Sequence, residues 1–189
     1  MNFIINKDYS VTIRKEVEAV VARSQSIKED AELIAVSLAS GYLGNRYDTA
    51  KIFKDISIYN ASTQYVEGDL ATNSAEDGDA LNYNAIIYEA LGDTTGDGLG
   101  DVTKWVAKDP RNKALVSRVL DIALYEMHCS INPRNVPELR DTRYTDAIKW
   151  LEMVSKGSIK LDLPLLQDAD GEDIKIFRAS SNKPYTERF

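Results

Sequence analysis

Chemistry in a chain of 189 residues would have to be carried by a few side chains, and by type the strongest candidates are His128 and Cys129. They are its one histidine and one cysteine, they adjoin, and they close an apolar stretch. Zinc asks for four ligands from separated pairs, so an adjoining His–Cys reads as the end of a hydrophobic helix. A nucleophilic triad would need the same histidine beside a serine or cysteine and a fixed acid, and no nucleophile elbow is present. Asp93, Thr95, Asp97, Gly98 and Asp101 partly imitate a calcium loop, but Lys104 stands where the bidentate Glu belongs. The run Gly96-Asp97-Gly98-Leu99-Gly100 lacks the lysine and following helix of a phosphate loop. Asp77 and Asp79 have no apolar cover to raise a carboxyl pKa, which argues against glycosidase chemistry. No enzyme and no cofactor is expected from these sets.

One constellation supports two readings. Tyr65, Tyr88 and Trp105 could form a sugar-stacking face, or they could fill the core of a small module that has nothing else large enough to fill it. The core reading outweighs the ligand-face reading.

These residues must be held by elements, and the clearest runs from Asn135 to Leu161. Asn135 is a candidate cap, Pro137 stands near the first helical position, and Leu139, Tyr144, Ala147, Ile148, Leu151 and Val154 make one apolar stripe. Gly157 supplies a left-handed stop beside Lys156. Earlier, Val11 to Arg23 reads as a first helix, and Ser26 with Glu29 as a capping box opening a second. That second helix carries Ala31, Ile34, Ala35, Leu38 and Tyr42 on one face and ends near Gly44. Asp109-Pro110 restarts helix, and Ala114 to Met127 is apolar on nearly every face, which suits a central or subunit-packing element.

Between them the character changes. From Ala61 to Asp109 there are ten acidic side chains against Lys104 and Lys108, a net −8, which leaves about +1 for the rest of a chain of net −7. Short runs such as Ala85 to Leu91, punctuated by Gly and Asp, predict a β module of about three strands. The expected organisation is therefore mainly α: a small helical bundle (1–48 and 109–161) with an acidic inserted β module (49–108) and an extended C-terminal tail (162–189). The tail carries Ile174, Ile176, Phe177, Tyr185 and Phe189, too much apolar surface for water, yet Pro164, Gly171 and Pro184 break it. It predicts docking on another surface. The acidic balance argues against general nucleic-acid or anionic-lipid binding. The first ten residues lack the pattern of a secretory leader, and no apolar run approaches membrane-spanning length.

The helical parts resemble the Mu-type head-to-tail connector (neck) family of tailed bacteriophages. One block is Gly41-Tyr42-Leu43-Gly44-Asn45-Arg46-Tyr47, similar to the family's tyrosine-leucine then arginine-tyrosine signature. The other is Arg143-Tyr144-Thr145-Asp146-Ala147-Ile148-Lys149-Trp150-Leu151, closing with Lys156-Gly157-Ser158-Ile159-Lys160-Leu161. The acidic insert departs from the family's short linker and is similar to small aromatic β modules of chitin-binding pattern. The resemblance implies a non-enzymatic virion component, assembled in the host cytoplasm into a neck ring of twelve copies. Such a ring binds the portal protein on one side and the tail or next neck protein on the other, while genomic DNA passes through its centre without sequence-specific contact. The competing class is a binding module that presents the aromatic insert to carbohydrate or another virion protein.

Overall fold

The longest apolar run of the chain becomes the central helix. In the computed structural model, which describes residues 2–9, 25–73 and 85–167, this helix is α4 (Lys113–Ile131). Before it come α1 (Asn6–Tyr9), α2 (Gln25–Leu43) and α3 (Thr49–Ile52), and after it α5 (Glu138–Ser155). Leu115, Val119, Ile122, Ala123 and Leu124 of α4 are fully buried, because α2 covers one side of the helix and α5 another. The packing partners from α5 are Ala147, Leu151 and Val154, and from α2 Ala35, Ala39 and Leu43.

A four-stranded mixed sheet stands beside the helices, in the order β1 (Ile56–Ile58), β2 (Leu70–Thr72), β3 (Ile87–Ala90), β4 (Trp105–Ala107). β1 and β2 are parallel, with Ile56 opposite Leu70, and the other neighbours are antiparallel, with Thr72 opposite Ile87 and Ala90 opposite Trp105. The expected mainly α class is thus overturned: five helices and this sheet make the described residues an α/β mixture. The strands are three or four residues long, too short for a two-residue hydrophobic alternation to declare itself. The first of them lies inside the expected 49–108 module but ahead of its acidic run. The sheet has two small cores, Ile5, Ile56, Leu70, Ala85 and Ile87 on one side and Tyr65, Ala71, Ala90 and Trp105 on the other.

The N-terminal segment ties the two layers together. Phe3, Ile4 and Tyr9 belong to the helical core while Ile5 belongs to the sheet. Arg111 locks the joint. Its side chain, 2 % exposed, reaches Asp8 at 2.6 Å and Asp109 at 2.9 Å and donates to the Phe3 carbonyl at 2.6 Å. Burial alone would push the Asp109 carboxyl up, but hydrogen bonds from Arg111 and Lys113 outweigh it and bring it down to about 2. A second buried contact, Tyr9 Oη donating to Glu32 Oε1 at 2.5 Å, fixes α1 to α2.

Several local expectations shift. The cap of α4 is Asn112, whose side chain accepts from the Leu115 N–H at 3.1 Å, while Asp109 is spent on Arg111. The cap of α5 is Pro137, not Asn135, and makes no side-chain hydrogen bond. Glu138 and Asp141 complement the helix dipole in the first turn instead. Ser26 lies inside α2 rather than at its cap, and Ile34 and Leu139 of the expected stripes are 48 % and 58 % exposed. Gly157 does stop α5 in the left-handed region, at φ +76°, with Gly157 N–H donating to Val154 O and Ser158 N–H to Met153 O. The helix expected over Val11 to Arg23 lies outside the described residues.

Candidate functional site

The two sequence blocks that carry the resemblance, about a hundred residues apart, meet at one end of the helical layer. Tyr42 is partly buried against the core, and Tyr47 is fully buried. The guanidinium of Arg46 lies 5.6 Å from the centre of the Tyr47 ring. The same guanidinium closes over Gly157: a Cβ there would come within 2.2 Å of Arg46 Nη1. A glycine suits this position for its φ, and the end of the flexible Arg46 side chain occupies the space that a Cβ would take.

The start of the tail is held at the same place. The Asp48 N–H donates to Pro164 O at 2.9 Å, the Leu166 N–H donates to Arg46 O at 3.1 Å, and Tyr47 pairs with Leu165 as an isolated antiparallel bridge. Lys51 adds a hydrogen bond to Gln167. The tail is expected to need another molecule from residue 162 onward; residues 162–167 instead dock on their own chain, because the Arg46 carbonyl and the Asp48 N–H on either side of Tyr47 pair with them. Ile174, Ile176, Phe177, Tyr185 and Phe189 lie outside the described residues.

The second block builds the seam between α4 and α5. Ala147 and Leu151 are fully buried, while Trp150 and Tyr144 are half-buried against the core. Tyr144 stacks on Tyr125 with ring centroids 4.2 Å apart. Above this stack three arginines gather around one acid. Asp121, itself buried, lies 3.2 Å from Arg143 and 3.9 Å from Arg118. Arg140 is 7 % exposed, and its Nη1 is buried with no hydrogen-bond partner. Burial, and after it the Arg143 charge, pulls the Arg140 guanidinium below its usual value. His128 Nε2 is buried without a partner in the same seam, and burial followed by the nearby Arg140 charge holds the imidazole below the usual histidine value. Sequence reasoning singled out Arg143 but not Arg118, Arg140 or Asp121. The i, i+3 pair Arg140 and Arg143 on an otherwise apolar stripe is the signal that would have found them.

The insert's aromatics are placed as a cluster with an additional member, Tyr59. Tyr65 and Trp105 are buried, their rings 5.0 Å apart edge to face, and Tyr59 packs on both. Tyr88 is half-buried beside them. Tyr59 Oη and Trp105 Nε1 both donate to the Asp97 carbonyl at 3.0 Å, and Thr94 Oγ1 donates to the Asp97 carboxylate. The loop that imitates a calcium site is therefore folded on its own hydrogen bonds. Among the described residues no three His, Cys, Asp or Glu side chains stand together as a metal site, and no helix is long and apolar enough to cross a membrane. A cleft of about 450 Å³ separates the sheet from α4, walled by Ile5, Ile87, Val116 and Leu120 with Lys108 and Lys113 at its rim.

The family described as Bacteriophage Mu, Gp36 matches residues 109–177. That span holds α4, α5, the Arg143–Leu151 block, Gly157 and the docked start of the tail, and it excludes the Gly41–Tyr47 block. No curated protein and no solved structure matches the chain. The match over α4 and α5 indicates a phage Mu-type structural protein, related to the virion.

Proposed function

We propose that the chain is a head-to-tail connector subunit: a non-enzymatic component of the virion neck that forms a ring, of twelve copies, between the portal protein and the tail or next neck protein. Genomic DNA passes through the ring without sequence-specific binding, and neither a cofactor nor a membrane takes part. The observation that carries this reading is the family match over α4 and α5, the helices whose Arg143–Leu151 and Lys156–Leu161 blocks resemble connector proteins. The docking of residues 162–167 on Arg46–Asp48 supports it, since it joins both blocks and the root of the tail into one unit. In this reading Ile174, Ile176, Phe177, Tyr185 and Phe189 are the anchor to the portal or a neighbouring subunit. An acidic chain also suits a DNA passage, because few basic groups would neutralise phosphates and retain the duplex. The reading in which the insert stacks on carbohydrate loses its main support, since Tyr65 and Trp105 are buried.

The test is co-expression with the portal protein of the same phage, followed by electron microscopy. Rings seated on the portal are expected, and removal of residues 174–189 should spare the fold and abolish attachment. A chain that neither forms rings nor binds portal, with its fold intact by circular dichroism, would refute the proposal.

A further inference from the structure

The α4–α5 seam gathers three arginines around one buried carboxylate, with Glu126 and Asp141 farther out beside the Tyr125–Tyr144 stack. Arg118 and Arg143 both pair with Asp121, whereas Arg140 makes no ion pair among the described residues and its Nη1 is buried without a hydrogen-bond partner. A buried guanidinium nitrogen without a partner, as Arg140 Nη1 is, is costly unless an acceptor completes it. Arg118 and Arg143, at 36 % and 44 % side-chain exposure, open the cluster to the surface. The same molecule carries the opposite excess elsewhere. Glu67, Asp93 and Asp101 are exposed on neighbouring loops of the sheet, held together by the Tyr65–Thr94 bridge, and none of them has an ion pair among the described residues. The two described bases nearest this rim are given to backbone carbonyls, Lys104 Nζ to Asp93 O at 3.3 Å and Lys54 Nζ to Gly68 O at 2.7 Å.

We infer that the arginine cluster of Arg118, Arg140 and Arg143 is a docking surface for a second copy of this chain, which presents the carboxylates of Glu67, Asp93 and Asp101. Two different patches that fit each other make a head-to-tail contact, and repetition of such a contact closes rings or runs on as filaments. Guanidinium–carboxylate pairs supply directional, bidentate hydrogen bonds, and completing an already buried arginine adds stability without a new desolvation cost on that side. The inference deepens the connector reading, on which it rests for the ring, by placing the contact between neighbours. A nucleic-acid phosphate is the other anion of matching chemistry. The chain's net −7 and the −8 of the stretch from Ala61 to Asp109 favour the carboxylate.

The test uses the full chain and compares self-association by sedimentation and mass photometry. Arg140→Met removes the uncompensated charge and keeps the volume, so the monomer should melt no lower than wild type while self-association weakens about tenfold. Asp93→Lys with Asp101→Lys should weaken it by a similar factor, and mixing that variant with Arg118→Glu should restore mixed assemblies. Association of the wild type should fall as salt rises from about 0.05 to about 0.5 M. Unchanged assembly in Arg140→Met or in the Asp93/Asp101 variant would overturn the inference. So would a salt response in which only DNA-loaded samples assemble. A wild-type chain that binds portal yet stays monomeric away from it would also sink this contact while leaving the connector reading standing. Rings that never bind portal would do the reverse.

Discussion

Arg111 shows how much of this molecule hangs on single side chains. It satisfies two carboxylates and a backbone carbonyl with its side chain out of water, so its loss leaves Asp8 and Asp109 facing each other across the joint. Arg111→Ala should cost about 3–5 kcal/mol in urea denaturation, since breaking one side of a buried pair strands the other. The acid response follows from the same contact. Asp109 sits at about 2 in the fold against 3.8 for an ordinary aspartate, so its contribution is complete above 3.8 and is lost as pH falls toward 2. That contribution is at most about 2 kcal/mol, reduced by solvent because the side chain is 21 % exposed. Urea midpoints for wild type should therefore drop between pH 4 and 2 more steeply than those of Asp109→Asn; parallel curves would refute the assignment. Gly157 is the second such residue. Gly157→Ala forces a left-handed alanine and should cost about 1–3 kcal/mol, almost all of it backbone strain because the Arg46 guanidinium can swing aside. Arg46→Ala in the same chain should therefore recover little of that cost. Gly157 was legible in the sequence because a glycine after a helical stripe has a local reason. Arg111 was not, because one of its acid partners, Asp8, is 103 positions away and the other, Asp109, reads as a helix cap before Pro110.

At the scale of elements, periodicity identified α2, α4 and α5 and misjudged their edges. α5 buries Ala147, Leu151 and Val154 as its spacing implies, yet Leu139 is exposed and the adjoining Arg140 takes the buried side of the first turn. Its start was misplaced because Asn135 offers a capping side chain, whereas Pro137 begins the helix by fixed φ alone. Tyr144 and Trp150 lie on the shoulder of the stripe, half-buried, so they are packing residues of intermediate weight. Trp150→Ala should lower stability by about 1–3 kcal/mol, below the range for fully buried aromatics. Tyr144→Ala should lose about 1 kcal/mol beyond its area because the stack on Tyr125 goes with it. A Trp150→Ala protein of wild-type stability that fails to bind its neighbours would assign the ring to recognition instead. The arginine cluster on the same two helices was hidden for a different reason. Helical spacing shows which residues share a face, but it cannot show that Asp121 of one helix is outnumbered by arginines of both.

For the whole molecule, charge and periodicity located a change of character near Asp48 and Asp109, but they undervalued the sheet. Its strands are brief, its first one precedes the acidic stretch proper, and the two layers are stitched by residues 2–9, which read as an uninformative start. The stitching sets what removal of the insert would do. The helical core draws its buried members from residues 3–9, 31–53 and 115–154, and none from the sheet. Arg111 and both of its acids also lie outside residues 60–108. Replacing residues 60–108 with a short Gly/Ser linker therefore leaves the helical core complete and strips cover from Ile5 and Ile56, which are now packed with Leu70, Ala85 and Ile87. Two isoleucines returned to water correspond to about 3–5 kcal/mol, a large share of a domain's margin but not all of it. The expected outcome is a helical protein by circular dichroism that still melts in one transition, at a lower temperature than wild type. Replacing Ile5 and Ile56 with Thr in that variant should recover solubility without raising the cost, since both positions would already be exposed. A variant that melts without cooperativity would mean that the sheet is part of the folding nucleus, and the helices and the acidic insert would then be one folding unit rather than two.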